Sequence, residues 1–138
     1  MKLFLMRHAD ALPKKPKQED PERPLSPLGK QEAKKAGKSL LSRKISFDAI
    51  FSSPYLRAMQ TATIVAKELG LEDVVFPEPL LASGCEFGDV MEVLDHYPDS
   101  ETILMVGHEP DFGEIAAQFL GKDEPTPLAK AQIVEIDI

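Results

Sequence analysis

Residues 2–8 read Lys2-Leu3-Phe4-Leu5-Met6-Arg7-His8. Lys2 to Met6 is a short apolar run with no turn residue inside it, which spells a buried strand. It stops abruptly on a guanidinium and an imidazole. The same design recurs twice. Phe47 to Ser52 alternates as a second strand and leads through Ser52-Ser53-Pro54 to Arg57. Thr102 to Val106 is the clearest strand of the chain and runs into Gly107-His108. Between these strands lie helical periods. Ser26 offers an N-cap hydroxyl with Pro27 at the first helical position, predicting a helix from about Pro27 to Ser42. Ser53-Pro54 is expected to cap the next helix, whose apolar face is Ala58, Ala62, Val65, Ala66 and Leu69 and which ends at Gly70. Val74 to Phe76 is a weak strand. Val90, Val93, Leu94 and Tyr97 suggest a third helix, and Ile115, Ala116, Phe119 and Leu120 a fourth. Ala131 to Ile138 alternates as an edge strand. The order predicts an α/β three-layer sandwich, a mostly parallel sheet with helices on both faces, in a single domain over residues 1–138.

Asp10 to Pro27 interrupts the pattern. It holds Pro13, Pro16, Pro21, Pro24 and Pro27, a basic cluster at Lys14, Lys15 and Lys17, and an acidic one at Glu19, Asp20 and Glu22. A structureless connection of this length inside a small domain is usually either mobile or functional.

The whole chain has 138 residues and a formal net charge of −7. That length buries enough surface to fold without a disulfide or a metal. The acidic balance disfavours nucleic-acid and anionic-membrane partners, which require a basic stripe to displace their counterions. One cysteine, Cys85, no apolar run of membrane-spanning length and no signal-peptide core point to a cytoplasmic protein.

In a parallel sheet, ligands bind beyond the carboxyl ends of the strands. There this chain places two of its three histidines, His8 and His108, and two of its four arginines, Arg7 and Arg57. Arginine's fork of donors matches phosphate oxygens and keeps its charge at all working pH values. Positive neighbours disfavour an imidazolium, so His8 or His108 is expected to be neutral and able to attack phosphorus. The other ring nitrogen must then donate to an oxygen that fixes the tautomer.

Three blocks carry a family resemblance: Leu5-Met6-Arg7-His8-Ala9-Asp10, Ser52-Ser53-Pro54-Tyr55-Leu56-Arg57-Ala58-Met59-Gln60-Thr61-Ala62 and Val106-Gly107-His108-Glu109-Pro110. They resemble, in order, the signature blocks of the histidine phosphatase superfamily, whose fold is phosphoglycerate mutase-like. Arg23-Pro24-Leu25-Ser26-Pro27-Leu28-Gly29 and the small size look most like its SixA-type phosphohistidine phosphatases. The resemblance implies that His8 is the nucleophile and that Arg7, Arg57 and His108 surround the phosphoryl oxygens. Arg23 is implied as an auxiliary phosphate ligand, and no metal or other cofactor is implied. His96 falls in the third helix as a surface or packing residue.

Departures from the family pattern sharpen the substrate. Many relatives have glycine where this chain has Ala9, which requires an ordinary φ there. Relatives acting on alcohol phosphates usually carry a glutamate that protonates the leaving oxygen, at the position that aligns with Ala82. Glu86, Asp89 and Glu109 are the candidate replacements. A phosphorylated imidazole does not require such an acid, because its own ring nitrogen takes the proton and it leaves neutral. The chain also has almost no sequence left for a lid, which suits a side chain presented by another protein. The expected activity is therefore metal-independent hydrolysis of phosphohistidine in a partner, either a phosphotransfer domain of a signalling relay or a phosphotransferase-system carrier, by a monomer. The alternatives are a small-molecule phosphomonoesterase and a phosphate-binding module with weak turnover. Lys14, Lys15 and Lys17 are expected to dock an acidic partner.

Three other chemistries fit less well. A cysteine phosphatase requires an arginine six residues after Cys85, where Met91 stands, and Glu86 opposes a thiolate. Gly37-Lys38-Ser39 mimics the end of a phosphate loop but lies within a helix and lacks the earlier glycine. A metal held by His8, Asp10 and His108 would be repelled by Arg7 and Arg57. Asp10 is expected instead to orient an arginine.

Overall fold

The computed structural model describes residues 1–138. Five strands, β1 (Lys2–Arg7), β2 (Ala49–Ser52), β3 (Val75–Pro77), β4 (Thr102–Gly107) and β5 (Ile133–Asp137), form one sheet in the order β3-β2-β4-β1-β5. β1 to β4 run parallel, and β5 pairs antiparallel with β1 at the edge. Four helices cover the sheet: α1 (Pro27–Ser42), α2 (Leu56–Leu69), α3 (Phe87–Asp95) and α4 (Asp111–Phe119).

Strand alternation divides the core into two layers. Phe4, Met6, Ile50, Leu104 and Val106 face α1 and α2, packing against Leu40, Ala58, Ala62, Val65 and Ala66. Leu3, Leu5, Phe51, Ile103 and Met105 face α3 and α4, against Val90, Val93, Phe112, Ile115 and Ala116. Because both faces are covered, Leu3 to Met6 are all fully buried, which is why their sequence is a continuous apolar run.

This topology positions the site. The parallel connections β1-α1-β2 and β2-α2-β3 lead one way across the sheet and β3-α3-β4 leads back, while α4, before the antiparallel β5, packs on the same face as α3. Right-handed crossovers in opposite directions lie on opposite faces. The neighbouring strands β1 and β4 therefore send their following helices to opposite sides, which opens a crevice at their carboxyl ends. Registry brings the two ends level, with Arg7 opposite Gly107.

Several boundaries differ from the periodic reading. The second strand begins at Ala49, two residues after Phe47, and Tyr97 lies beyond the end of α3. Ser26 caps α1 as expected, accepting from the Gly29 amide at 3.0 Å. Ser53 does not cap α2: that helix starts at Leu56 with Tyr55 as its uncapped leading residue. The proline-rich connection is tied at its ends, Ala11 bridging to Leu25 and the Leu12 amide donating to the Pro24 carbonyl at 2.9 Å.

Candidate active site

Four predicted residues meet at the crevice. Arg7 ends β1 and His8 follows it, with the His8 amide donating to the Gly107 carbonyl at 3.0 Å. His108 follows β4, and Arg57 stands in the first turn of α2, which leaves the end of β2. The His8 and His108 rings meet edge to face with centroids 5.3 Å apart. Arg57 and His108 are buried, whereas Arg7 and His8 are half-buried.

The tautomer of His8 follows from its partners. Its Nδ1 lies 2.7 Å from the Ala9 carbonyl, an acceptor, so Nδ1 carries the hydrogen. Nε2 then bears the lone pair, and Arg57 Nε donates to it at 3.3 Å. The oxygen that fixes this tautomer thus belongs to the next residue along the chain. Ala9 is fully buried, donates to Thr61 Oγ1 at 3.1 Å and is not among the residues with positive φ, as a non-glycine residue requires.

Both rings are held neutral. Burial pushes His8 down to about 4, with Arg57, Arg7 and Arg23 adding to the effect and the Ala9 carbonyl opposing it. Burial also pushes His108 down to about 3, helped by His8 and Arg57. Neutrality was expected from the arginines, but desolvation is the larger cause.

Around this pair the cations are placed unequally. Arg7 donates through Nη1 to the Leu128 carbonyl at 3.2 Å, while its buried Nε has no partner within the protein. A buried N–H without an acceptor is costly, and at a ligand crevice it marks a position for an incoming oxygen. Arg23 reaches in from the proline-rich connection, its Nε donating to the Leu12 carbonyl at 2.9 Å and its Nη1 to Asp20 Oδ1 at 3.1 Å.

Three residues of the site were not singled out from the sequence. Ser53 Oγ lies 2.8 Å from His108 Nε2 and also accepts from the Tyr55 amide. Tyr55 packs edge-on against His108 at 4.7 Å, and the Arg57 guanidinium lies 5.0 Å from its ring centre. Asp20 accepts from Arg57 twice, through its carbonyl at 2.8 Å and Oδ2 at 3.0 Å. Partial burial raises the Asp20 carboxyl, but its bonds to Arg23 and Arg57 outweigh this and keep it below the ordinary carboxylate value. Serine and tyrosine stood inside a quoted block, whereas Asp20 carried only the signal of an acidic cluster.

The other candidates lie elsewhere. Asp10 orients no arginine; it accepts from Ser26 Oγ at 2.6 Å and Lys130 Nζ at 2.5 Å, so it forms no ligand cluster with the two histidines. The three candidate acids are engaged by main-chain amides: Glu86 and Asp89 cap α3, and Glu109 accepts from Gly113 and Leu128. Burial, followed by Asp89, Asp111 and Glu86, pushes the Cys85 thiol up to about 12, far from a nucleophilic thiolate. His96 is exposed and follows the last turn of α3. No helix is long and apolar enough to cross a membrane.

Comparison with known proteins identifies the family and the fold. An uncharacterized protein of Picosynechococcus sp. is 38% identical over 120 residues, spanning 84% of this chain and 71% of its own length. Phosphohistidine phosphatase SixA of Escherichia coli is 26% identical over 140 residues, covering 100% of this chain and 86% of SixA. The solved structure of the protein histidine phosphatase SixA complexed with tungstate superposes with a TM-score of 0.89 at 27% identity, over 100% of this chain and 88% of that one. The family model of the histidine phosphatase superfamily (branch 1) matches residues 3–81, from the first strand through the buried Arg57 to just past the third. The chain belongs to the histidine phosphatase superfamily, branch 1, and is one of its phosphatases.

Proposed function

We propose that the chain removes phosphoryl groups from phosphohistidine in a partner protein, through a phosphoryl group held transiently on His8. The observation that carries this reading is the His8 ring: hydrogen on Nδ1, a lone pair on Nε2 that meets only the long Arg57 Nε contact, and a pKa near 4 that keeps Nε2 unprotonated at neutral pH. In the first step the Nε2 lone pair bonds to phosphorus and the P–N bond to the substrate imidazole breaks. The leaving ring, whose other nitrogen has taken a proton from solvent, departs as neutral imidazole. Arg7, Arg57 and His108 hold the equatorial oxygens, with Arg23 at the rim as an auxiliary ligand. In the second step water oxygen attacks phosphorus, its proton passes to solvent, inorganic phosphate leaves and the Nε2 lone pair is restored.

Three further points support the reading. SixA accepts tungstate, an oxyanion like phosphate, in its solved structure. Glu86 and Asp89 cap α3 and Glu109 accepts two main-chain amides, so all three carboxylates have roles in local structure. Leu56, next to Arg57 in sequence, and Leu12, whose carbonyl accepts from Arg23, are exposed apolar residues that a protein surface could cover. The positive field comes from arginines, so the reaction proceeds without a metal and persists in excess chelator.

The test compares a phosphohistidine protein, a phosphoserine peptide and small sugar phosphates as substrates. Preference for the phosphohistidine protein is expected, and preference for the sugars would contradict the proposal.

A further inference from the structure

Asp20 occupies an unusual position for a loop carboxylate. One oxygen takes Arg57 Nη2 and the other Arg23 Nη1, so a single carboxylate bridges two of the three arginines assigned to the phosphoryl group. The ion pair is asymmetric: the Arg57 side chain is 7% exposed and that of Asp20 49%. Arg57 therefore stays in place while Asp20 has an open path to solvent. The Asp20 main chain is held independently, by the Arg57 bond to its carbonyl and by reciprocal Glu19 and Glu22 caps around the turn Asp20–Glu22. Displacing the carboxylate thus requires a side-chain rotation and leaves the loop where it is.

We infer that Asp20 is a selectivity residue, an internal anion that competes for Arg57 and Arg23 with any incoming phosphoryl group. This inference rests on the phosphoryl seat proposed above. A ligand that must displace an internal competitor binds more weakly by the fraction of time the seat is free. The factor is the same for every ligand, so inorganic phosphate and small esters, bound by the seat alone, fall to low occupancy at concentrations where they would otherwise fill it. A phosphohistidine presented by a protein recovers the loss through contacts outside the seat. Free phosphoserine, bound through the same seat, meets the same competitor.

The experiment measures binding of inorganic phosphate by calorimetry to the wild-type protein and to Asp20→Asn and Asp20→Ala, with thermal melts to establish that each is folded. Inhibition by free phosphoserine is measured alongside. Both variants are expected to bind phosphate about tenfold more tightly, the scale of one charge-assisted bond to a guanidinium, and phosphoserine should gain as much. Unchanged binding overturns the inference. So does weaker binding in Asp20→Ala with rescue in Asp20→Asn, which would make Asp20 a positioning residue for Arg57. No binding to any of the three proteins would remove the seat itself, and with it the reading of the reaction.

Discussion

At the scale of single residues, the chemistry turns on two imidazoles kept neutral by burial. Both His8 and His108 have folded pKa values below the ordinary 6.5. The unfolded chain therefore binds more protons than the folded one as pH falls from about 6.5 toward 4, and acid favours unfolding across that window. A histidine ring titration by NMR should find both rings still neutral at pH 5.5, with the melting temperature falling as pH is lowered from 7 to 4.5. A His8 ring that protonates near 6.5 would contradict the desolvation argument. Arg7, His8, Arg57 and His108 were legible in the sequence because strand ends are easily located and arginine and histidine are rare in this chain. The contact of Ser53 with His108 was not, since it depends on β2 and β4 ending in register, with the Ser53 amide on the Val106 carbonyl at 2.9 Å. Ser53→Ala should lower kcat severalfold by freeing the His108 ring and cost about 1–3 kcal/mol in stability, because it strands buried polar partners of the hydroxyl; an unchanged kcat would show that the hydroxyl does not position the ring.

Among elements, the start of α1 connects the proline-rich segment to the site. Ser26 Oγ caps the Gly29 amide and also donates to the Asp10 carboxylate at 2.6 Å, so one hydroxyl joins helix and loop. Ser26→Ala should cost about 1 kcal/mol in a denaturant titration, the usual value of an N-cap. Gly29 faces the Asp10 main chain so closely that a Cβ would lie 1.9 Å from its carbonyl oxygen. Gly29→Ala should therefore cost about 1–3 kcal/mol by overpacking, and a neutral result would mean that the loop yields freely. Four helices and five strands were readable from period and caps. The α2 start was misplaced because Ser53, a good cap by type, turns its hydroxyl to His108. The course of the loop was unreadable, since the Leu12–Pro24 and Arg23–Leu12 bonds join residues 11 or 12 apart with no periodic signal.

For the whole molecule, a formal charge of −7 surrounds a crevice where Arg7, Arg23 and Arg57 converge. Lys14, Lys15 and Lys17 are exposed on the loop that begins at this crevice. Replacing all three with alanine should weaken turnover of a phosphohistidine protein, more so at low salt, while sparing a small aryl phosphate. Equal losses on both substrates would contradict a docking role. The α/β class was legible because apolar runs and helical periods alternate along the chain, whereas the strand order, and with it the crevice between β1 and β4, was not, since an apolar run does not record which strand lies beside it. The antiparallel direction of β5 was not, since alternation is the same in either direction. The central claim, a phosphoryl group on His8, is tested most directly by mixing the protein with a phosphohistidine protein, quenching in alkali and mapping the phosphorylated peptide by mass spectrometry. The expected result is an acid-labile phosphoryl group on His8, absent from His8→Ala; turnover that continues in that variant, or a phosphoryl group found on another residue, would contradict it.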